Sequence, residues 1–307
     1  MPTNEPKPTK AQRRDDARAK AVAMRKEQER KAKRNRIIAI TVLVVAVVAL
    51  GFTGYWISQQ NQQNTASGSN VVYGGDSSDV VAPKLADVTV PSTANDQGGV
   101  YVSKAGVGHT TDGDVVVRIY FDLQCPYCQH FDAANSAELD KLAAEDGVTI
   151  EYRPISFLDG NSLGTNYSTR AANAVAIVAD KNPENFTKFI TALYDNQPAE
   201  GTKGLTDDKI AEIAQGVGVP SSVTDTFTHT VKGTYETGSS GSTTKHDGEW
   251  RTFAPWISAA TVQANTDMGG KLGTPTILID GKKWEGDLYT AGPLTDAVNQ
   301  AVAAKKG

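Results

Sequence analysis

The sequence predicts a mixed α/β fold, and three observations carry that prediction. The β-branched apolar run Val115–Phe121 is followed by a helical pattern over about 128–144, and then by a second β run, Val148-Thr149-Ile150-Glu151-Tyr152. Strand, crossover helix and strand in that order imply a parallel β-α-β unit. Far downstream, Pro275-Thr276-Ile277-Leu278-Ile279-Asp280, then Gly281 and Lys282-Lys283-Trp284, read as an apolar strand, a turn and a shorter strand.

The remaining elements follow in chain order. Val100-Tyr101-Val102 reads as a first short strand, and Phe131, Leu139, Leu142 and Ala143 are the apolar members of the crossover helix. From 168 to about 265 the pattern is mostly helical: Ala171–Ala179, then Phe186, Phe189, Ile190 and Leu193 at helical spacing, then Ile210, Ile213, Ala214 and Val217. Asp207 and Asp208 suit the first turn of that last helix, where negative charge meets the positive end of the peptide dipoles. Phe253, Trp256, Ile257, Ala260 and Ala264 form a further stripe, with Pro255 tolerable only near its start. The Gly/Ser/Thr-rich run between Glu236 and Gly248 is expected to be an exposed loop. Pro293 opens a final helix carrying Leu294, Ala297, Val298, Ala301 and Val302 on one face.

Four segments are expected. Residues 37–57, Ile37 through Ile57, are 21 uncharged and almost wholly apolar residues. That is enough to cross a bilayer core of about 30 Å as one helix, and longer than the apolar core of a cleaved signal peptide. Residues 1–36 hold 13 Lys/Arg against 5 Asp/Glu, whereas the rest of the chain carries a net charge of −12. Positive flanks stay cytoplasmic, so residues 1–36 read as a cytoplasmic basic segment and the C-terminal part should lie outside the cell membrane. The basic run has no aromatic or fold signature of nucleic-acid binding and reads as a topology signal. Residues 58–98, rich in Gln, Asn, Ser and Gly, read as a flexible linker. Residues 99–307 remain for the folded domain.

Cys125-Pro126-Tyr127-Cys128 contains the only two cysteines in 307 residues. Set where a strand gives way to a helix, the first thiol lies at a helix N-terminus, where peptide dipoles stabilise the thiolate. Such a pair can close into a small disulfide ring and reopen, passing two electrons, which points to thiol–disulfide exchange. The composition offers little else. Two cysteines and four histidines at no ligand-like spacing argue against zinc, although copper(I) could use the two thiolates alone. No glycine pattern suits a phosphate, no G-x-S-x-G is present, and no cofactor is expected.

Phe121-Asp122-Leu123-Gln124 before Cys125-Pro126-Tyr127-Cys128, together with Gly273-Thr274-Pro275-Thr276 about 150 residues later, resembles the DsbA-like, membrane-anchored Gram-positive members of the thioredoxin superfamily. The resemblance spans about 99–305. It implies a thioredoxin-like fold with a helical insertion domain at about 160–268, preceded by one transmembrane helix. It implies Cys125 as the exposed nucleophile and Cys128 as the shielded resolving thiol, with Pro126 and Tyr127 tuning the thiolate. Pro275 is implied to be a cis-proline that brings the Thr274 backbone beside Cys125. Asp122 could relay protons, cap the next helix or sit solvated at the strand end; His130 is expected at the surface. Tyr127 stands where the best-known relatives carry histidine, and Tyr offers the thiolate no cation. The expected function is donation of the Cys125–Cys128 disulfide to exported proteins with free thiols, with a membrane redox partner recycling the pair. A reductase or isomerase using the same pair is the alternative, and a copper-binding or chaperone-like module belongs to another class.

Overall fold

The computed structural model describes residues 70–306 except 76, 78 and 240. The apolar segment 37–57 and the basic segment before it lie outside the described residues, among which no helix is long and apolar enough to cross a membrane.

Nine strands and seven α-helices are described, in two sheets. They run β1 (Val80–Val81), β2 (Val100–Ser103), β3 (Gly106–Val107), β4 (Val115–Phe121), α1 (Pro126–Ala143) and β5 (Val148–Pro154). Then come α2 (Tyr167–Lys181), α3 (Phe186–Asp195), α4 (Asp207–Gly216) and the single turn α5 (Ser221–Thr224). The chain ends with β6 (Thr230–Ser239), β7 (Ser242–Arg251), α6 (Ala254–Asp267), β8 (Thr276–Ile279), β9 (Lys282–Lys283) and α7 (Pro293–Lys306).

The main sheet has the order β3-β2-β5-β4-β8-β9. As the sequence order predicts, β4 and β5 run parallel, from Val115 beside Val148 to Phe121 beside Pro154. β8 pairs antiparallel with the other edge of β4, Val117 opposite Ile279 and Tyr120 opposite Thr276. Both neighbours of β4 are thereby filled, which is why its sequence is a continuous β-branched run. Alternation along β4 divides its side chains between two layers. Val115, Val117, Ile119 and Phe121 join the large core with α1 and α7, while Tyr120 packs with Ile155 and Ala264 of α6 on the other face.

The insertion between β5 and β8 is built around α2, in which every residue from Tyr167 to Ala179 is buried. A helix buried on all sides belongs inside a bundle: its alanines let neighbours approach, and its buried Arg170 and Asn173 are satisfied, Arg170 by Asp207 and Asn173 by the Phe227 carbonyl. α3 docks Phe186, Phe189, Ile190 and Leu193, the stripe read from the sequence. At α4 the Thr206 hydroxyl accepts the Lys209 N–H as an N-cap, with Asp207 and Asp208 in the first turn.

Two expectations are corrected. The run between Glu236 and Gly248 is no loop: it belongs to a ten-residue antiparallel ladder from Thr230–Arg251 to Ser239–Ser242. Its residues are polar because both faces are largely exposed, so no apolar alternation marks it. Backbone pairing and a tight turn with Gly241 at φ +100° define it instead. The insertion is therefore helical with one hairpin. Residues 70–98, assigned to the linker by composition, are also engaged with the domain. Val71 is buried, β1 pairs with β6, and the Tyr73 ring packs on Trp250 at 4.7 Å.

Beneath the sheet lies a charge cluster that the strand pattern hid. Glu151, fully buried, accepts hydrogen bonds from Arg118 Nε (2.6 Å), Arg153 Nε (2.8 Å) and Asn95 Nδ2 (2.8 Å). Arg153 also donates to Asp267 at 3.0 Å. Gly99 makes room for the cluster, since a Cβ there would lie 2.6 Å from the Glu151 carboxylate. Glu151→Ala leaves Arg153 buried without its main counter-charge and should cost about 3–5 kcal/mol, measured by urea unfolding. A loss under about 1 kcal/mol would mean that water reaches Arg153.

Candidate active site

β4 carries the chain into the core and stops at Phe121, where Asp122-Leu123-Gln124 turns it into α1. The turn closes with the Cys125 N–H donating to the Asp122 carbonyl at 3.0 Å. Cys125 is the N-cap residue of α1, and no side chain caps that helix. Pro126 occupies the first helical position, where its missing N–H removes no bond. Cys128 lies one turn in, and both thiols are unbonded.

On the other side, the Thr274–Pro275 peptide is cis. It lies at the head of β8, and the Thr274 carbonyl accepts from the Cys125 thiol at 3.4 Å. The structure thus brings Cys125, Cys128, Pro126, Tyr127, Thr274 and Pro275 together, although the two motifs are 149 residues apart.

Exposure does not separate the two thiols: Cys125 is 4% exposed and Cys128 1%, so the expected exposed nucleophile is nearly covered. The Thr274 carbonyl and the first turn of α1 close over it. Electrostatics separates the pair instead. The Cys125 thiol is pulled down to about 6, first by the hydrogen bond from the Cys128 thiol, against the opposing effect of burial. Thr274 and the backbone N–H groups of Cys128 and Tyr127 add to the lowering. Cys128 is pushed well above the ordinary thiol range, by burial first and then by the Cys125 sulfur beside it.

Asp122 is fully buried. It neither caps α1 nor meets solvent. Its carboxylate accepts from the Ser168 hydroxyl (2.7 Å), the Gln124 N–H (2.9 Å) and the Leu158 N–H (3.0 Å). Burial outweighs these three donors and lifts its pKa to about 7.

Several residues at the site escaped sequence reasoning. Tyr289, in the loop between β9 and α7, lies with its ring 6.3 Å from that of Tyr127 and 6.3 Å from that of His130. Tyr127 and Tyr289 are 60% and 47% exposed, so they form an aromatic rim beside the buried thiols, with His130 at the surface as expected. Asn135 of α1 donates to the Leu288 carbonyl at 2.9 Å and holds that loop in place. From the insertion, Tyr194 donates to the Asp122 carbonyl and Gln197 to the carbonyls of Leu123 and Cys125. Their positions in sequence carry no signal, because the contacts exist only once the insertion folds onto the turn after β4.

The unequal thiols give a measurable signature. In the reduced protein, alkylation by iodoacetamide should modify Cys125 alone. Its rate should be level above about pH 7 and fall about tenfold per unit below pH 6, because only the thiolate attacks. A midpoint near the ordinary value of 8.5 would contradict the site geometry.

Comparison with known proteins agrees with this architecture. A family model described as Thioredoxin matches residues 106–294. Among solved structures, the thiol-disulfide oxidoreductase MdbA from Actinomyces oris superposes with a TM-score of 0.52 at 18% identity, covering 71% of this chain and 96% of that one. DsbA from Mycobacterium tuberculosis aligns at 23% identity and a TM-score of 0.47, over 67% of this chain and 99% of its own. Among curated proteins, the serine/threonine-protein kinase PknE of M. tuberculosis is 34% identical over 124 residues, 39% of this chain. The chain spans 21% of the length of that kinase. The family model runs from β3 to the first turn of α7, taking in the cysteine pair, the insertion and the Thr274–Pro275 turn, and by that match this chain belongs to the thioredoxin family.

Proposed function

We propose that the protein is a membrane-anchored, extracytoplasmic dithiol–disulfide oxidoreductase that donates its Cys125–Cys128 disulfide to exported proteins. The observation that carries this reading is the placement of the pair: Cys125 at the N-terminus of α1 facing the Thr274–Pro275 turn, with Cys128 buried one turn behind it. This arrangement lowers the Cys125 pKa and raises that of Cys128. The 21 uncharged residues at 37–57 and the basic segment before them support the anchor and its orientation.

The chemistry balances without a cofactor. A substrate thiolate attacks Cys125 Sγ of the oxidised pair; the mixed disulfide forms as the Cys125–Cys128 bond breaks, and Cys128 leaves as a thiolate that takes up a proton. The substrate's second thiolate then attacks its own sulfur in the mixed disulfide, closing the substrate disulfide and releasing the Cys125 thiolate. Two electrons pass to the pair, so a membrane partner must remove two before the next cycle. Asp122 exchanges the Cys128 proton in this reading, because burial leaves that carboxyl close to half-ionised at neutral pH. The Thr274 backbone and the Tyr127–Tyr289 rim receive the extended substrate segment.

Thiolate stabilisation favours the reduced pair and so strengthens the disulfide as an oxidant. Thioredoxin combines a cysteine pKa of about 7 with about −270 mV, and the strong oxidant DsbA about 3.5 with about −120 mV. The lowered Cys125 pKa shifts the pair toward the oxidising side, and a reduction potential above the about −270 mV of thioredoxin is expected. Equilibration of the purified protein against glutathione buffers measures it. A value at or below about −270 mV would reverse the direction to a reductase fed with electrons. In the second test, Cys125→Ser should abolish oxidation of a reduced, unfolded substrate, while Cys128→Ser mixed with a disulfide-bonded substrate should accumulate the mixed disulfide, seen as a non-reducing gel shift, because no second thiol of the pair is there to release it. Undiminished turnover by Cys125→Ser would exclude the mechanism.

A further inference from the structure

A helix N-terminus is ordinarily fixed by its own N-cap side chain, which accepts an N–H two or three residues on. In α1 the N-cap side chain is the nucleophile, and none caps the helix. Pro126 has no N–H, and the Cys128 and Gln129 amides donate to the Cys125 carbonyl, so the place of the Cys125 sulfur at the helix end depends on how the Cys125 peptide is held. That peptide carries the Cys125 carbonyl.

Gln197, in the loop after α3, holds that carbonyl. Its side-chain amide donates to Cys125 O at 3.0 Å and to Leu123 O at 2.9 Å, so both hydrogens of one NH2 group are spent on the redox turn. The Cys125 carbonyl also accepts the helical N–H groups of Cys128 (3.0 Å) and Gln129 (3.2 Å). Gln129 answers in the opposite direction, its Nε2 donating to the Tyr194 carbonyl at 2.8 Å. That same carbonyl accepts the Gln197 N–H at 3.1 Å. The Tyr194 hydroxyl donates to the Asp122 carbonyl at 3.3 Å. Two glutamines thus reach past each other between the first turn of α1 and the end of α3.

We infer that Gln197 is a positioning residue for the redox pair: by holding the carbonyls of Leu123 and Cys125 it fixes the turn that sets the Cys125 sulfur at the uncapped N-terminus of α1. Through this clasp the insertion sets the redox strength of a cysteine pair that it does not itself contain. The inference rests on the redox reading above.

The test uses the purified full-length protein with Gln197→Met, which keeps the length and removes the donors, and Gln197→Glu, which places an acceptor against two carbonyls. Three quantities are read: the pH profile of Cys125 alkylation, the thiol–disulfide equilibrium with glutathione, and the thermal midpoint. Gln197→Met should leave three- to tenfold less thiolate at pH 6 and make the disulfide three- to tenfold less oxidising, about 15–30 mV for a two-electron couple. Gln197→Glu should shift both further. Gln129→Met combined with Gln197→Met should change the equilibrium by less than the product of the two single effects, because both loosen one clasp. An unchanged alkylation profile and equilibrium alongside a lowered thermal midpoint would show a purely structural tie and overturn the inference. If Gln197→Met fails to fold, the same two readouts on Gln197→Glu decide it. A wild-type protein that does not equilibrate with glutathione at all would instead defeat the redox reading.

Discussion

A sulfur anion has to be held at the head of α1 with no cationic side chain to balance it, and the rest of the structure follows from that demand. The groups that do most to lower the Cys125 pKa are neutral, the Cys128 thiol first, with backbone amides of the first turn adding to it. Neutral donors stabilise charge only when their geometry is fixed, so each must come from a rigid element. β4, filled on both edges, delivers Cys125 to the helix head; α1 presents the amides and the second thiol; β8, paired to β4, carries Thr274 opposite. Donors without net charge are also screened little by salt at this distance.

The same burial acts in opposite directions on the groups around the pair. Cys128 and Asp122 are both enclosed, and in both the loss of water disfavours the charged form. Only Cys125 receives enough donors to overcome that loss. The site is thus divided into one group that ionises readily and two whose charged forms burial disfavours, although both thiols are nearly covered. This division suits the two-step exchange proposed: Cys128 takes up a proton as the pair opens, and Cys125, the better-stabilised anion, is the sulfur released when the substrate disulfide closes.

Much of this was legible in the sequence, for reasons that differ by element. β4, α1 and β5 announce themselves because an apolar run buried on both sides, or an amphipathic stripe, leaves a pattern in the letters themselves. The stripe Phe186, Phe189, Ile190 and Leu193 maps directly onto the buried face of α3. The β6–β7 hairpin left no such pattern, because its stability lies in backbone pairing and in rings such as Tyr73 and Trp250 brought from far apart. Glu151 read as an ordinary polar position in a strand; its burial depends on Arg118 and Arg153 arriving from β4 and β5 together. At the site, the cysteine pair and the Thr274–Pro275 turn were visible as motifs, whereas Gln197, Ser168 and Tyr289 act through contacts that no local spacing encodes. Asp122 lies between these cases. Its place before Cys125 could be read, but its environment could not.

The insertion has a consequence for the order in which the site comes into existence. The ribosome delivers the cysteine motif first and Thr274 only 149 residues later, which at about 5–20 residues per second is a delay of roughly 7–30 s. Gln197 arrives about halfway through that interval, 72 residues after Cys125, and the opposing Thr274 carbonyl only at its end. β4 meanwhile has one edge unpaired, because its partner β8 has not been made. The protein therefore spends the early part of its own biogenesis as an unguarded dithiol with an open sheet edge, and becomes a tuned exchanger only when nearly the whole chain is present. A product truncated before β8 would keep both cysteines and lack the strand that governs them.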